Sequence, residues 1–166
     1  MRKFFTILVC RLAYFAGHMI GRGSSLPGEI ALKMYPDILS KIRLPDMVIA
    51  VTGSNGKTST VEMITHILQK QGKRVISNKE GSNLDCGIAA VILSNCTLGG
   101  RFNGDVLVLE TDERYAKLTY RYFSPTHYVI TNLYRDQLTR NGHPEWVYEA
   151  IRESVTDDCT LILNAD

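Results

Sequence analysis

The chain has 166 residues, 45% of them hydrophobic and 22% charged, which is enough for one sizeable apolar core and too little for two ordinary domains. A formal net charge of +2 gives no electrostatic reason to expect a nucleic-acid partner or broad adhesion to acidic surfaces. The four cysteines, Cys10, Cys86, Cys96 and Cys159, lie far apart without a C-x-x-C pair, which argues against a zinc ribbon or a compact disulfide framework and suits reduced thiols in a cytoplasm.

Arg2 and Lys3 followed by the apolar residues 4–10 imitate the start of a signal peptide. Arg11 interrupts the run, no A-x-A cleavage pattern follows, and neither apolar piece reaches the roughly 18 residues of a spanning helix. Phe4, Leu8, Leu12, Phe15 and Met19 recur at three- or four-residue steps and predict one apolar helix face. That face either packs on the domain or rests on a membrane surface, and packing is the simpler expectation. Residues 21–28, Gly-Arg-Gly-Ser-Ser-Leu-Pro-Gly, are rich in turn formers and predict the end of the helix and a mobile basic loop. A short amphipathic segment over 29–39 is interrupted by Pro36, and Pro45-Asp46 introduces a first strand over 47–51. Residues 1–45 are therefore expected to form an N-terminal helical appendage, and 46–166 the main domain.

Further strands are expected over 75–77, 106–109, 128–131 and 161–163. Val61, Ile64 and Leu68 share one helical face, Ile88, Val91 and Ile92 another, and Pro144 suits the first turn of a third helix. Apolar strands alternating with helical crossovers predict an α/β fold, a mostly parallel sheet with helices on both faces.

The segment Gly53-Ser54-Asn55-Gly56-Lys57-Thr58-Ser59 follows the first strand and opens a helix, the context of a phosphate-binding loop. Gly53 and Gly56 allow backbone angles that turn N–H groups toward phosphate oxygens, and the helix start adds partial positive charge. Lys57 is placed against the terminal phosphates, and the Thr58 hydroxyl on a magnesium ion that bridges them. The spacing is shorter than G-x-x-x-x-G-K-[ST], whose first glycine would fall at Val51. Glu110 stands at the carboxyl end of an apolar strand, where ligands of open α/β sheets gather; a carboxylate beside phosphates needs a cation between them, so Glu110 reads as a magnesium ligand. Asp112 and Glu113 read instead as the acidic start of the next helix. Asn78, Ser82 and Asn83 belong to a loop at the same sheet edge, with Asn83 either a substrate or phosphate contact or a turn residue.

The form T-G-x-N-G-K-[ST] over residues 52–58 resembles the loop of the Mur ligases and folylpolyglutamate synthases, which use ATP to make amide bonds. Residues 21–28, 78–84 and 131–140 look like one branch, MurT, the ligase-like subunit of the enzyme that amidates the peptidoglycan precursor lipid II. The resemblance implies ATP and Mg2+ as cofactors, Lys57 and Glu110 as the catalytic pair, and Thr58 and Glu110 as metal ligands. It implies an incomplete Mur ligase central domain over 46–166 and phosphorylation of the D-glutamate α-carboxyl of lipid II to an acyl phosphate. Ammonia would come from a GatD-like glutamine amidotransferase subunit, in the cytoplasm at the inner face of the membrane. Gln137 stands where most Mur ligases have a metal-binding His, so the resemblance does not carry a second metal site; Asp136 and Gln137 either touch water or metal at the site edge or are a helix N-terminal acid and its neighbour, and Thr139 and Asn141 depart from the D-R-[FY]-G of the branch.

Residues 161–166 resemble the middle of the family's central domain. A truncated chain is implied, with an exposed sheet edge, lacking the zinc insertion and C-terminal domain and not fully active alone. Two alternatives stay open: another Mur or folylpolyglutamate-type ligase, and a non-catalytic nucleotide-binding remnant.

Overall fold

The computed structural model describes residues 1–19, 25–78, 84–133 and 144–165. The expectations for Ser82, Asn83, Asp136, Gln137, Thr139 and Asn141 lie outside these residues. Five strands, β1 (Met47–Thr52), β2 (Val75–Ser77), β3 (Val106–Glu110), β4 (His127–Ile130) and β5 (Thr160–Leu163), form one parallel sheet in the order β2-β3-β1-β4-β5. The expected strands are all present, and the α/β fold with it.

Side chains alternate across the sheet with period two. Ile49 and Val51 of β1 and Val106 and Val108 of β3 face α3 (Lys57–Lys70), where they meet buried Val61 and half-buried Ile64 and Leu68. Val48 and Ala50 of β1, Leu107 and Leu109 of β3, and Tyr128 of β4 face the opposite way into a larger cluster. That cluster takes residues from α1 (Arg2–Met19), α2 (Leu26–Met34), α4 (Asp85–Ser94), α5 (Ala116–Tyr120) and α6 (Pro144–Arg152), and from a 3-10 turn over Ile38–Lys41. Residues of the N-terminal 45 therefore share one core with the sheet.

Helix α4 is apolar on all sides because it is covered on all sides. Every residue from Gly87 to Leu93 is buried, between the sheet and the α1–α2 layer. Full burial of Ile88, Ile92 and Leu93 contributes about 1.5 to 3 kcal/mol each.

Three expectations change here. The turn-rich stretch 21–28 is not loop to its end: Leu26, Pro27 and Gly28 form the first turn of α2, with proline at a position that needs no N–H donor. A Cβ on Gly28 would lie 1.8 Å from the Cys86 carbonyl oxygen, so glycine is required for α2 to meet α4. Second, α1 packs with a different face from the one its apolar spacing suggests. Thr6, Ile7 and Cys10 are fully buried, whereas Phe4, Leu12 and Phe15 of the predicted stripe are exposed. Third, α5 begins at Ala116, so Asp112 and Glu113 precede the helix rather than open it.

All four cysteines are free. Burial pushes the Cys10 thiol up to about 12 and the Cys96 thiol to about 11, which leaves both protonated and inert. Among the described residues no helix is long and apolar enough to cross a membrane. The outer strand β5 exposes Leu161, Ile162 and Leu163.

Candidate functional site

The loop after β1 takes its shape from two glycines with positive φ, Gly53 at 130° and Gly56 at 80°. They are needed for different reasons. At Gly56 nothing lies within 4 Å of an added Cβ, so only the left-handed backbone demands glycine. At Gly53 a Cβ would lie 2.2 Å from Thr131 Oγ1 and 2.8 Å from the Asn132 carbonyl oxygen, because the end of β4 presses against the loop. Gly56 is the N-cap of α3, and the first intrahelical bond runs from Thr60 N–H to the Gly56 carbonyl at 2.9 Å. The first amides of α3 thus point out of the helix start, with Lys57, Thr58 and Ser59 in its first turn.

Thr58 and Glu110 are 52 residues apart and meet: the Thr58 hydroxyl donates to Glu110 Oε2 at 2.7 Å. The parallel register that sets Val51 beside Glu110 produces this contact. Asn78, buried at the end of β2, fixes the strand end by accepting from the Glu110 N–H and donating to the Glu110 carbonyl, both at 2.8 Å. Its side-chain amide extends the β2–β3 ladder by one rung, a role that the sequence reading did not assign.

Two hard oxygen donors at this separation suit magnesium, whose neighbouring ligand oxygens stand about 2.9 Å apart and which binds through one or two carboxylates plus phosphates and water. Thr58 and Glu110 would hold the ion.

Lys57 lies folded over the loop. Its ammonium donates to the Gly53 carbonyl, to the Ser54 carbonyl at 3.4 Å, and to Glu113 Oε1 at 3.2 Å. Glu113 is 4% exposed, so its charge is compensated by Lys57 inside the protein rather than by water. This acid, expected at a helix start, belongs to the site instead. Asp112 caps the turn before α5, accepting from the Arg114 N–H at 3.0 Å and pairing with its guanidinium at 3.2 Å. That hydrogen bond raises the Arg114 pKa above its ordinary value.

The loop is held from β4 as well. Ser54 N–H donates to the Asn132 carbonyl at 3.0 Å, and Asn55 N–H to Asn132 Oδ1 at 3.0 Å. Asn132 Nδ2 and Thr131 Oγ1 both donate to the Asn55 carbonyl, at 3.0 and 2.7 Å. In this conformation the Ser54 and Asn55 amides serve the loop's own support, and the helix start offers the remaining donors. Beneath the loop, Thr52 Oγ1 donates to the Thr111 carbonyl at 3.0 Å, and the Thr111 hydroxyl bonds to Tyr120. Thr131 and Asn132 follow β4, and their grip on the loop depends on β4 lying beside β1.

This site sits in a segment that matches the Mur ligase middle domain over residues 51–166. The chain is 34% identical over 162 residues to the lipid II isoglutaminyl synthase subunit MurT of Streptococcus pneumoniae, covering 96% of this chain and 36% of that protein. It is 34% identical over 169 residues to MurT of Staphylococcus aureus strain COL, covering 100% of this chain and 38% of that protein. The chain thus spans a little over a third of the length of these curated relatives. In fold it is similar to the MurF ligase of Thermotoga maritima in complex with ADP, with a TM-score of 0.63, 22% identity, and coverage of 84% of this chain and 32% of that one. From residue 51 onward, where the loop and its supporting strand ends lie, the match is continuous, and the chain belongs to the Mur ligase family.

Proposed function

We propose that this chain supplies the Mg-ATP part of a MurT-type amide-forming ligase subunit, which works at the cytoplasmic face of the membrane on lipid II. The observation that carries the reading is the meeting of Thr58 and Glu110 at 2.7 Å beside Lys57 at the mouth of a glycine loop. Residues 46–166 form the ATP-binding domain and 1–45 an N-terminal segment packed on it. The similarity to MurT over 96–100% of the chain, against 59–83% for D-glutamate-adding ligases of the family, supports this branch.

In the proposed reaction the D-glutamate α-carboxylate attacks the terminal phosphorus of ATP, ADP leaves, and an acyl phosphate forms. Ammonia from a GatD-like glutaminase subunit then attacks the acyl carbon and expels phosphate. Lys57 gives up a carbonyl or carboxylate partner to neutralise the transferring phosphoryl group, while the α3 N-terminus binds phosphate oxygens. A magnesium ion held by Thr58 and Glu110 would supply neutralisation of phosphate charge. Asn78 and Asn132 hold Glu110 and the loop in position before nucleotide arrives.

Calorimetric titration of the chain with Mg-ATP tests the reading. Binding is expected for the wild type, with a loss of about 100-fold in Lys57→Ala and about tenfold or more in Glu110→Ala. The Glu110→Ala loss should vanish when ATP is titrated with a chelator present. A folded wild-type chain that binds no Mg-ATP would sink the proposal that this segment captures nucleotide.

A further inference from the structure

We infer that the outward face of α1 is a docking surface for an anionic lipid bilayer, with the helix lying flat in the interface. The inference deepens only the membrane-side location in the reading above and does not depend on nucleotide binding. Helix α1 turns its buried residues, Thr6, Ile7 and Cys10, toward the core, which fixes the rest of its circumference relative to solvent. On the opposite side Met1, Phe4, Phe5, Leu8, Leu12 and Phe15 make one stripe at helical spacing. Phe4, Phe5, Leu12 and Phe15 are 43%, 54%, 61% and 67% exposed, a concentration of apolar surface in a single stripe that marks an interaction site.

The helix is anchored from behind, so this face cannot roll inward. The Arg2 guanidinium donates to the Met34 carbonyl at 2.7 and 3.1 Å and stacks over the Tyr35 ring at 4.7 Å.

Charge selects the occupant. Helix α1 contains no acidic residue; Arg2 is engaged behind the helix and Lys3 lies against Gly100, which leaves Arg11 as the α1 cation on the outward side. Arg11 is exposed and flanks the stripe. Aromatic and leucine side chains on one face, with an exposed arginine beside them and no acid on the helix, match helices that bury their apolar face at the headgroup boundary of anionic membranes. The 18 residues of α1 reach about 27 Å along the surface, which is room for the whole stripe to insert side-on. Among the described residues no helix is long and apolar enough to cross a membrane.

The test is co-sedimentation of the chain with vesicles of phosphatidylglycerol and phosphatidylcholine, against phosphatidylcholine alone, at low and high salt. The triple variant Phe5→Ser, Leu12→Ser, Phe15→Ser changes only exposed positions, so its circular dichroism and melting temperature should match the wild type. Binding to the anionic vesicles is expected, weakened at least about tenfold in the triple variant and several-fold in Arg11→Glu, with reduced salt dependence in the latter. Failure of the wild type to sediment with anionic vesicles, or equal binding by the triple variant, overturns the inference. A concentration-dependent dimer in light scattering that the triple variant abolishes, without vesicle binding, assigns the face to a second copy instead. Mg-ATP titration of the triple variant should match the wild type, so a failed nucleotide reading and a failed membrane face give different results.

Discussion

Gly53 and Gly28 answer the same geometric problem in two regions of the molecule, with different consequences. At both positions a Cβ would collide with a neighbouring segment, 2.2 Å from Thr131 Oγ1 at Gly53 and 1.8 Å from the Cys86 carbonyl at Gly28. Around Gly53 the close approach gathers polar groups: the strand ends of β3 and β4 each bond to β1 and its loop, and a pair of charges is enclosed. Around Gly28 it joins α2 to α4 in an apolar layer. Close approach at a strand-end loop organises groups for a ligand, while close approach between helices contributes only packing. A change in the first region should move nucleotide affinity, and one in the second stability alone.

The strongest test of this division is the buried pair within the loop region. Lys57→Ala removes the counter-charge of Glu113 as well as a phosphate ligand, so unfolding stability should fall by about 3 to 5 kcal/mol together with the loss of Mg-ATP binding. Adding Glu113→Gln should recover most of the melting temperature and none of the nucleotide affinity. If the double variant binds Mg-ATP as the wild type does, Lys57 is a structural cation and not a phosphate ligand.

Gly28→Ala should come next in size. The two helices must separate to admit the methyl group, at about 2 to 3 kcal/mol in chemical denaturation. The folded fraction should bind Mg-ATP with unchanged affinity; a weakened affinity would show that the α2–α4 layer shapes the site after all.

The smallest of the three effects belongs to Asn132→Ala. It deletes two side-chain hydrogen bonds to the Asn55 backbone, at about 1 to 2 kcal/mol of stability. Mg-ATP affinity should fall about tenfold, because the loop must then be ordered at the moment of binding. A stability loss with no change in calorimetric affinity would reduce Asn132 to a structural residue.

What could be read along the chain was what repeats or clusters locally. The strands around Val48, Leu107 and Tyr128 were legible because apolar residues run between turn formers. The loop at residues 53–58 was legible because two glycines, a lysine and a hydroxyl must stand close together at the start of a helix to meet phosphate. Glu110 could be singled out by its place at a strand end, and the likeness to the Mur ligases came from the same short stretches.

The tertiary structure decided everything that depends on which distant segments meet. The β1–β3 register brought Thr58 to Glu110, and the placement of β4 beside β1 gave Asn132 its hold on the loop. Glu113 carries no local sign of pairing with a lysine 56 residues earlier. On α1 periodicity indicated an apolar stripe but not its direction, because Ile7 and Cys10 offer a second apolar face of the same period. A helix with two such faces is oriented by what it packs against, and that partner, the α2–α4 layer around Gly28, exists only once the chain has folded.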